Sequence, residues 1–174
     1  MTCEYCDLLE QKASILYEDA QVAVAVKETA MVPGQITVFS REHCTILEMV
    51  PDAVLSKCAW MSNKVSIAVF ESLGAQGTNM IISNGLGAGQ KVPHVAIEII
   101  PRRESDGLAL QWQPKQLMDD EMETAYLLVK EEGEKLVNIG KKEKKEVVTA
   151  KEEIKVVDKD GKKNYMLKAL RRRP

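Results

Sequence analysis

Two histidines and one closely spaced pair of cysteines are the residues of this chain best suited to chemistry. Cys3 and Cys6 form a Cys-x-x-Cys pair, and His43 and His94 are the only histidines. Two thiolates at this spacing can bind one Zn²⁺ ion at about 2.3 Å, and two imidazoles would complete a tetrahedral site. If the fold brings the four side chains together, the residue types predict a Cys₂His₂ zinc site.

The spacing alone leaves other interpretations open. The cysteine pair is also compatible with a surface dithiol or a thioredoxin-type redox pair, although such a redox pair normally opens a helix that follows a strand. The two histidines could equally be unrelated polar residues. We expect Cys44 and Cys58 to be thiols with packing roles, because a Cys–His hydrolase needs a histidine free of other duties.

Composition and charge narrow the class of protein. The chain has 174 residues, of which 45% are hydrophobic and 29% charged, as in one globular core with an appendage. Its formal net charge of -2 creates no field that would collect nucleic acid or an anionic membrane. We see no apolar run of about 18 residues and no signal-peptide pattern. We therefore expect a cytoplasmic protein with no membrane association, for which nucleic-acid binding is unlikely.

Strand and helix patterns in the first two thirds of the chain must position these residues. Alternating or apolar β-rich segments predict strands at residues 21–26, 35–39, 79–82 and 92–100, and a glycine-rich loop at 85–90. Residues 52–73 place apolar side chains on one helical face and end before Gly74, a natural stop. The order β-β-α-β-loop-β with short connections predicts an antiparallel α+β sheet.

The last third of the chain differs in composition, since about half of residues 119–174 are charged. Apolar residues recur at near-helical spacing after Pro114: Met118, Met122, Ala125, Val129 and Leu136. This stripe predicts a helix, residues 141–146 a linker, and residues 154–167 a hairpin. We therefore divide the chain into a domain at 1–113 and a charged helix-and-hairpin extension at 114–174, which could contact a protein partner.

The segment from Gly77 to Arg102 resembles the signature of the histidine-triad (HIT) family. It contains the alternating run His94-Val95-Ala96-Ile97-Glu98 after a glycine-rich loop. Three upstream segments are similar to other family landmarks, in the same order: Tyr17-Glu18-Asp19, Pro33-Gly34-Gln35 and Arg41-Glu42-His43. The resemblance covers about residues 3–113. It implies a five-stranded antiparallel sheet with one principal helix, and a homodimer.

The resemblance also implies a metal site and a ligand loop. In zinc-bearing branches of the family the metal is held by an N-terminal Cys-x-x-Cys, an upstream histidine and the first histidine of the triad. The matching residues here are Cys3, Cys6, His43 and His94. Three residues match the loop that presents N–H groups to a nucleotide or other small anionic ligand: Asn84, Gly89 and Gln90.

The departures from the family pattern lie in the residues that would meet a nucleotide. Enzymes of the family attack the α-phosphate with the middle histidine of the triad, but here that position is Ala96, whose methyl group has no lone pair. The third triad position is Glu98, a carboxylate that repels phosphate. Counting back from Pro33, the ribose-binding acidic position falls on Lys27 and a base-packing position on Glu28.

Three functional hypotheses follow. The first is a zinc-stabilised, catalytically silent HIT-family protein whose modified nucleotide pocket binds a ligand or a protein. The second is a nucleotide hydrolase or transferase that acts on nucleoside phosphates, with Glu98 as general base for water. The third is association with nucleic acid through the C-terminal third, which should then weaken steeply with salt.

Overall fold

The computed structural model describes residues 3–110 and 112–143, with side chains through Leu136. The chain divides into two compact units between Gln111 and Trp112, and each unit is described by itself. The first unit contains α1 (Glu4–Gln11), β1 (Ile15–Glu18), β2 (Val22–Val26), β3 (Ile36–Ser40), α2 (Asp52–Leu73), β4 (Gly77–Ile81) and β5 (Ala96–Arg102). The second unit contains α3 (Asp119–Glu143).

The five strands form one antiparallel sheet in the order β1-β2-β3-β5-β4. The register places Val38 of β3 between Val24 of β2 and Ile97 of β5. Because successive side chains of a strand point to opposite faces, the next residue, Phe39, lies on the other face beside Ala96. The predicted α+β class and five-stranded antiparallel sheet are confirmed.

One face of the sheet is covered by α2. Cys58 and Met61 of this helix pack against Val22, Val38 and Ile99 in a buried cluster. The helix begins after Pro51 and ends at Gly74, whose φ of 62° is left-handed and is readily adopted by glycine. The predicted helix at 52–73 is therefore confirmed with its boundaries.

The opposite face carries α1, which the sequence pattern did not predict. Tyr5 of this helix is buried and stacks on Phe39, with ring centroids 4.8 Å apart. A helix this short gains its stability from such packing rather than from intrinsic propensity. The short edge strand β1, also missed, pairs with β2 through a register irregularity that breaks the usual alternation.

Two of the predicted strands have boundaries that differ from the structure by two or more residues. The last strand begins at Ala96 rather than at residue 92, because the Val95 N–H donates to the Cys44 carbonyl instead of joining the sheet. The strand predicted at 79–82 spans Gly77–Ile81. The first difference matters because it places His94 on a loop beside the end of β3, rather than inside the sheet.

The second unit contains the predicted amphipathic helix. Its first turn is acidic, which suits the positive end of the helix dipole, and the Met118 N–H donates to Glu121 Oε2 at 3.2 Å. The predicted linker at 141–146 is wrong in its first part, because α3 continues through Glu143. The predicted hairpin lies outside the described residues. Among residues 3–110 and 112–143, no helix is long and apolar enough to cross a bilayer.

Candidate metal centre and adjoining pocket

Four side chains from three separate parts of the first unit meet at one point. Cys3 precedes α1 and Cys6 lies in its first turn, while His43 follows β3 and His94 precedes β5. Their ligand atoms all lie within 4.8 Å of one another. The Nδ1 atom of His94 is 3.4 Å from Cys3 Sγ and 3.7 Å from Cys6 Sγ, and His43 Nδ1 is 3.4 Å from Cys6 Sγ. The four predicted ligands are thus brought together.

The three distances between sulfur and nitrogen atoms match the donor spacing of a tetrahedral zinc ion. With bonds of about 2.3 Å to sulfur and about 2.0–2.1 Å to nitrogen, neighbouring S and N ligands lie about 3.5 Å apart. The three distances in the structure, 3.4, 3.4 and 3.7 Å, fall on either side of that value. Two thiolates and two imidazoles are also a donor set that suits zinc. The site therefore fits a metal ion, and its chemistry favours zinc.

A second hydrogen bond orients the buried imidazole. His94 is 2% exposed, and its Nε2–H donates to the Ser40 carbonyl oxygen at 2.8 Å. This leaves the Nδ1 lone pair directed at the two thiols, which is how metal-binding histidines are commonly oriented. Burial lowers the pKa of His94 below its usual value, which favours the neutral form that a metal requires.

The two remaining cysteines lie elsewhere and are buried. Cys44 packs with Val50 and Val95, and Cys58 lies on the buried face of α2, in the core cluster between this helix and the sheet. Burial raises the pKa of the Cys58 thiol to about 11. A buried neutral thiol is a weak nucleophile, so this cysteine has a packing role.

A pocket of about 580 Å³ adjoins the metal centre on the face of the sheet that carries α1. Ala96 and Glu98 of β5 both line it, together with His94. The other lining residues include Tyr5, Lys27, Met31, Gln35, Ile81, Ser83, Gly89, Gln90, Lys91, Val92 and Ile100. The structure therefore places all three positions of the altered triad beside one cavity, with no imidazole at the middle position.

The carboxylate of Glu98 is engaged by four neighbouring side chains. Its Oε1 accepts hydrogen bonds from Lys27 Nζ at 2.8 Å and from the Tyr5 hydroxyl at 3.0 Å. Its Oε2 accepts from Gln35 Nε2 at 2.7 Å and from Thr37 Oγ1 at 3.0 Å. The pocket floor is thus a closed polar network around an ion pair.

The network fixes the protonation states of its members. Burial raises the pKa of Glu98, but the hydrogen bonds from Lys27, Gln35 and Thr37 outweigh it, so the pKa lies below its ordinary value. Burial also raises the pKa of Tyr5, and the Glu98 charge raises it further. At neutral pH the carboxylate is therefore ionised and the tyrosine is a donor.

Replacing Glu98 with glutamine should destabilise the protein most at neutral pH. The NH₂ group of the new amide would face the side chains that now donate hydrogen bonds to Glu98. Because donors would then face donors, we expect a loss of about 1–2 kcal/mol in the free energy of unfolding. Because the folded-state pKa is lowered, this contribution is present above the unfolded value of about 4.3 and is lost as the pH falls through the folded value. Denaturant titrations from pH 7 to pH 3 should show the difference between the two proteins shrinking.

Glu71→Gln, on the exposed surface of α2, is the matched control for that titration. It makes the same chemical change away from the network and should leave the stability unchanged at each pH. A Glu98→Gln protein as stable as the unaltered chain at pH 7 would show that the ion pair contributes nothing.

The predicted ligand loop is held together by its own polar groups. Gly89 and Gln90 line the pocket, but their N–H groups donate to the carbonyls of Leu86 and Gly85, at 3.0 and 3.2 Å. The Gln90 amide donates to the Thr45 carbonyl at 2.7 Å. In this conformation the loop's N–H groups at residues 89 and 90 are already used.

Asn84 and Glu28 lie outside the pocket lining. The Asn84 amide donates to both carboxylate oxygens of Glu48, at 2.9 and 3.1 Å, and its carbonyl accepts from the Leu47 N–H. Glu28 is exposed and accepts a hydrogen bond from Ser14. Sequence reasoning placed Lys27 at the pocket, as found, but missed its pairing with Glu98. The sequence did carry a signal for this ion pair, because two positions of the expected pocket hold residues of opposite charge.

Comparisons with known proteins agree with this architecture. A family model described as HIT domain matches residues 9–105, which is more than half of the chain. An uncharacterised HIT-like protein of Methanocaldococcus jannaschii is 33% identical over 108 residues, covering 60% of this chain and 82% of that protein. Adenylylsulfatase HINT3 of Arabidopsis thaliana is 29% identical over 108 residues, covering 61% of this chain and only 55% of that protein.

One structurally similar protein has been solved with a bound metal. The crystal structure of a Zn-bound histidine triad family protein from Mycobacterium smegmatis is 26% identical, with a TM-score of 0.59. The similarity covers 66% of this chain and 85% of that one. From the family match and the five-stranded fold, this chain belongs to the histidine-triad (HIT) family.

Proposed function

We propose that this protein is a zinc-stabilised, catalytically silent member of the HIT family whose altered pocket binds a small ligand or a protein. One observation carries the proposal. The middle triad position is a methyl group, Ala96, between a histidine directed at the metal centre and a glutamate engaged in an ion pair. None of the three triad positions therefore provides an imidazole that is available to attack phosphorus.

The metal would stabilise the fold rather than take part in a reaction with a substrate. Cys3, Cys6, His43 and His94 would supply all four ligands, and a zinc ion with four protein ligands contributes folding free energy. Cys3 and His94 are buried, so the ion would fix α1 against the end of the sheet. Tyr5, which lies between the two cysteines, is part of the pocket wall, and the metal would therefore support the pocket as well.

The alternative, a hydrolase or transferase of nucleoside phosphates, draws support from the similarity to an adenylylsulfatase. It requires Glu98 to accept a proton from water. That carboxylate already accepts four hydrogen bonds, and its pKa is below the ordinary value. An effective general base has a pKa near the working pH and a free lone pair aimed at water. The observed environment therefore favours the silent function.

The pocket's remaining groups suggest which ligands it would accept. Its walls include the apolar side chains of Met31, Ile81 and Ile100. Lys91 is exposed at the lining and has no acidic partner within the described part of the chain, whereas Lys27 is neutralised by Glu98. These features support a ligand with an apolar or planar body and one anionic group, rather than a polyphosphate chain.

Incubation of the purified chain with nucleoside phosphates tests the proposal. We expect no turnover of adenylyl-sulfate, adenosine phosphoramidate or dinucleoside polyphosphates above the rate without protein. Turnover at ordinary enzymatic rates, of about 1 s⁻¹ or more, would overturn the silent function. If such turnover were present in the unaltered chain and disappeared in Glu98→Gln, catalysis with Glu98 as the general base would replace the proposal of a catalytically silent protein.

We further propose that the protein is a cytoplasmic homodimer. None of the four cysteines, all of which lie in the described residues, forms a disulfide, and this suits a reducing compartment. Trp60 on α2 is 56% exposed, and Met80 on the edge strand β4 is 45% exposed. An exposed aromatic side chain and an unpaired strand edge are features that a symmetric contact with a second copy can cover.

A further inference from the structure

Tyr5 reaches from the candidate metal centre to the floor of the pocket. It lies between Cys3 and Cys6 at the start of α1, and it is 4% exposed. Its backbone therefore belongs to the turn that supplies two of the four candidate ligands. Its hydroxyl lies at the far end of the side chain, where it donates to Glu98 Oε1 at 3.0 Å. One residue thus contacts both sites.

The Tyr5 ring is held by two aromatic neighbours. It stacks on Phe39 with ring centroids 4.8 Å apart, and it meets the ring of the candidate ligand His94 edge-on at 5.7 Å. Phe39 and His94 also meet edge-on, at 5.6 Å. Three mutually packed rings leave the tyrosine little freedom to turn, because a protein interior is close-packed. A displacement of His94 would therefore displace the tyrosine ring as well.

The hydroxyl end of Tyr5 is fixed by an ion pair. Glu98 Oε1 accepts from Lys27 Nζ as well as from Tyr5, and Lys27 Nζ lies 3.5 Å from the tyrosine hydroxyl oxygen. Gln35 and Thr37 hold the other carboxylate oxygen. A hydrogen bond to a carboxylate is roughly twice as strong as one between neutral groups. The pocket floor therefore fixes the tyrosine from the side opposite the metal centre.

We propose that Tyr5 is a positioning residue that couples the metal centre to the pocket floor. Metal binding would fix Cys3 and Cys6, and the turn between them presents the tyrosine hydroxyl to Glu98. In the other direction, the Glu98 carboxylate holds the tyrosine and so preorganises the two thiols for the ion. Such coupling is reciprocal, because each site changes the binding free energy of the other by the same amount.

The consequence for function is a pocket whose form depends on metal occupancy. Tyr5, Lys27 and Glu98 all line the pocket. When the ion leaves, α1 loses its link to the end of the sheet, and Glu98 loses the tyrosine as one of its four donors. A ligand that contacts this wall then binds less tightly. The inference rests on the proposed function, since it assigns a regulation to the same pocket.

The zinc affinity of the full chain, measured by competition with a chromophoric chelator, tests this coupling. Tyr5→Phe removes the hydroxyl but keeps the ring between Phe39 and His94. We expect this variant to bind zinc about tenfold more weakly, although its four ligands are unchanged. Tyr17→Phe is the matched control, because the Tyr17 hydroxyl donates to the Asp19 carboxylate at 2.7 Å, outside both sites. It should bind zinc as tightly as the unaltered chain.

A double-mutant cycle separates this coupling from simple attraction between charges. Glu98→Leu removes the acceptor of the tyrosine hydroxyl, but it also removes a negative charge near the cation, which weakens zinc binding in any background. If the coupling passes through the hydroxyl, Glu98→Leu costs about tenfold less zinc affinity in Tyr5→Phe than in the unaltered chain. Equal costs in the two backgrounds would overturn the inference.

Carbon-13 spectra of the glutamate carboxylates follow the same coupling from the pocket side. The Glu98 signal is the one that Glu98→Leu lacks. It should move when zinc is added to the unaltered chain and move much less in Tyr5→Phe. The inference is overturned if the signal moves equally in both proteins, or if Tyr5→Phe binds zinc as tightly as Tyr17→Phe. Those results would leave the proposed function standing, whereas an unaltered chain that binds no zinc would overturn both.

Discussion

Replacing Cys3 with serine should remove the metal and destabilise the domain more than any other single substitution considered. A serine hydroxyl is a poor zinc ligand, and the remaining three side chains would hold the ion far less tightly. A metal bound only by the folded state adds about 2.7 kcal/mol for a hundredfold excess over Kd. We therefore expect a loss of about 3 kcal/mol and a fall in Tm of ~10 °C or more.

Cys44→Ser is the control for this substitution, because Cys44 is also buried but lies outside the ligand cluster. It should keep one equivalent of zinc per chain, whatever its effect on packing. Elemental analysis and thermal unfolding, with and without a chelator, measure both quantities. If Cys3→Ser and Cys44→Ser had equal metal content and equal response to the chelator, the cysteine would not be a ligand.

Rebuilding the middle histidine alone should not produce an enzyme. In Ala96→His an imidazole would enter the pocket, but Glu98, two residues along the same strand face, would still hold Lys27 in an ion pair, so its carboxylate charge would neutralise the base that could attract a phosphate. In Ala96→His combined with Glu98→His that charge is removed. We expect the double variant to turn over nucleoside phosphoramidate at a rate on the order of a hundredfold above that of Ala96→His.

The Glu98→His single variant is the control for the rebuilt site, because it removes the carboxylate without adding a nucleophile at position 96. It should be as inactive as the unaltered chain. Rates are measured by release of the nucleoside monophosphate. If Ala96→His matched the double variant, Glu98 would not obstruct the pocket, and the account of the altered triad would need revision.

Residue type and local periodicity were enough to predict part of this structure. The four candidate metal ligands, which the structure brings together, followed from the scarcity of histidine and the Cys-x-x-Cys spacing, together with the family resemblance. The helix α2 followed from its continuous apolar face and from Gly74 at its end. The helix and the cysteine pair are visible in neighbouring residues, whereas grouping His43 and His94 with that pair depended on the family resemblance.

The missed features depend on tertiary contacts. The helix α1 is short, and its packing rests on Tyr5 against Phe39, which are 34 residues apart in the sequence. Lys27 directly follows β2 and Glu98 lies on β5, and β3 lies between these two strands, so only the sheet order and register bring the two side chains together. The loop before β5 was predicted as strand because its residues are apolar, yet the Val95 N–H is used by Cys44.

Native mass spectrometry of the purified full chain, before and after exposure to adenosine phosphoramidate, tests the central claim most directly. The account predicts that the mass of each chain includes one zinc ion and that this mass does not change after the exposure. The reason is that the imidazoles serve as ligands and position 96 offers no nucleophile. A metal-free chain, or a chain that gains the mass of an adenylyl group, would contradict it.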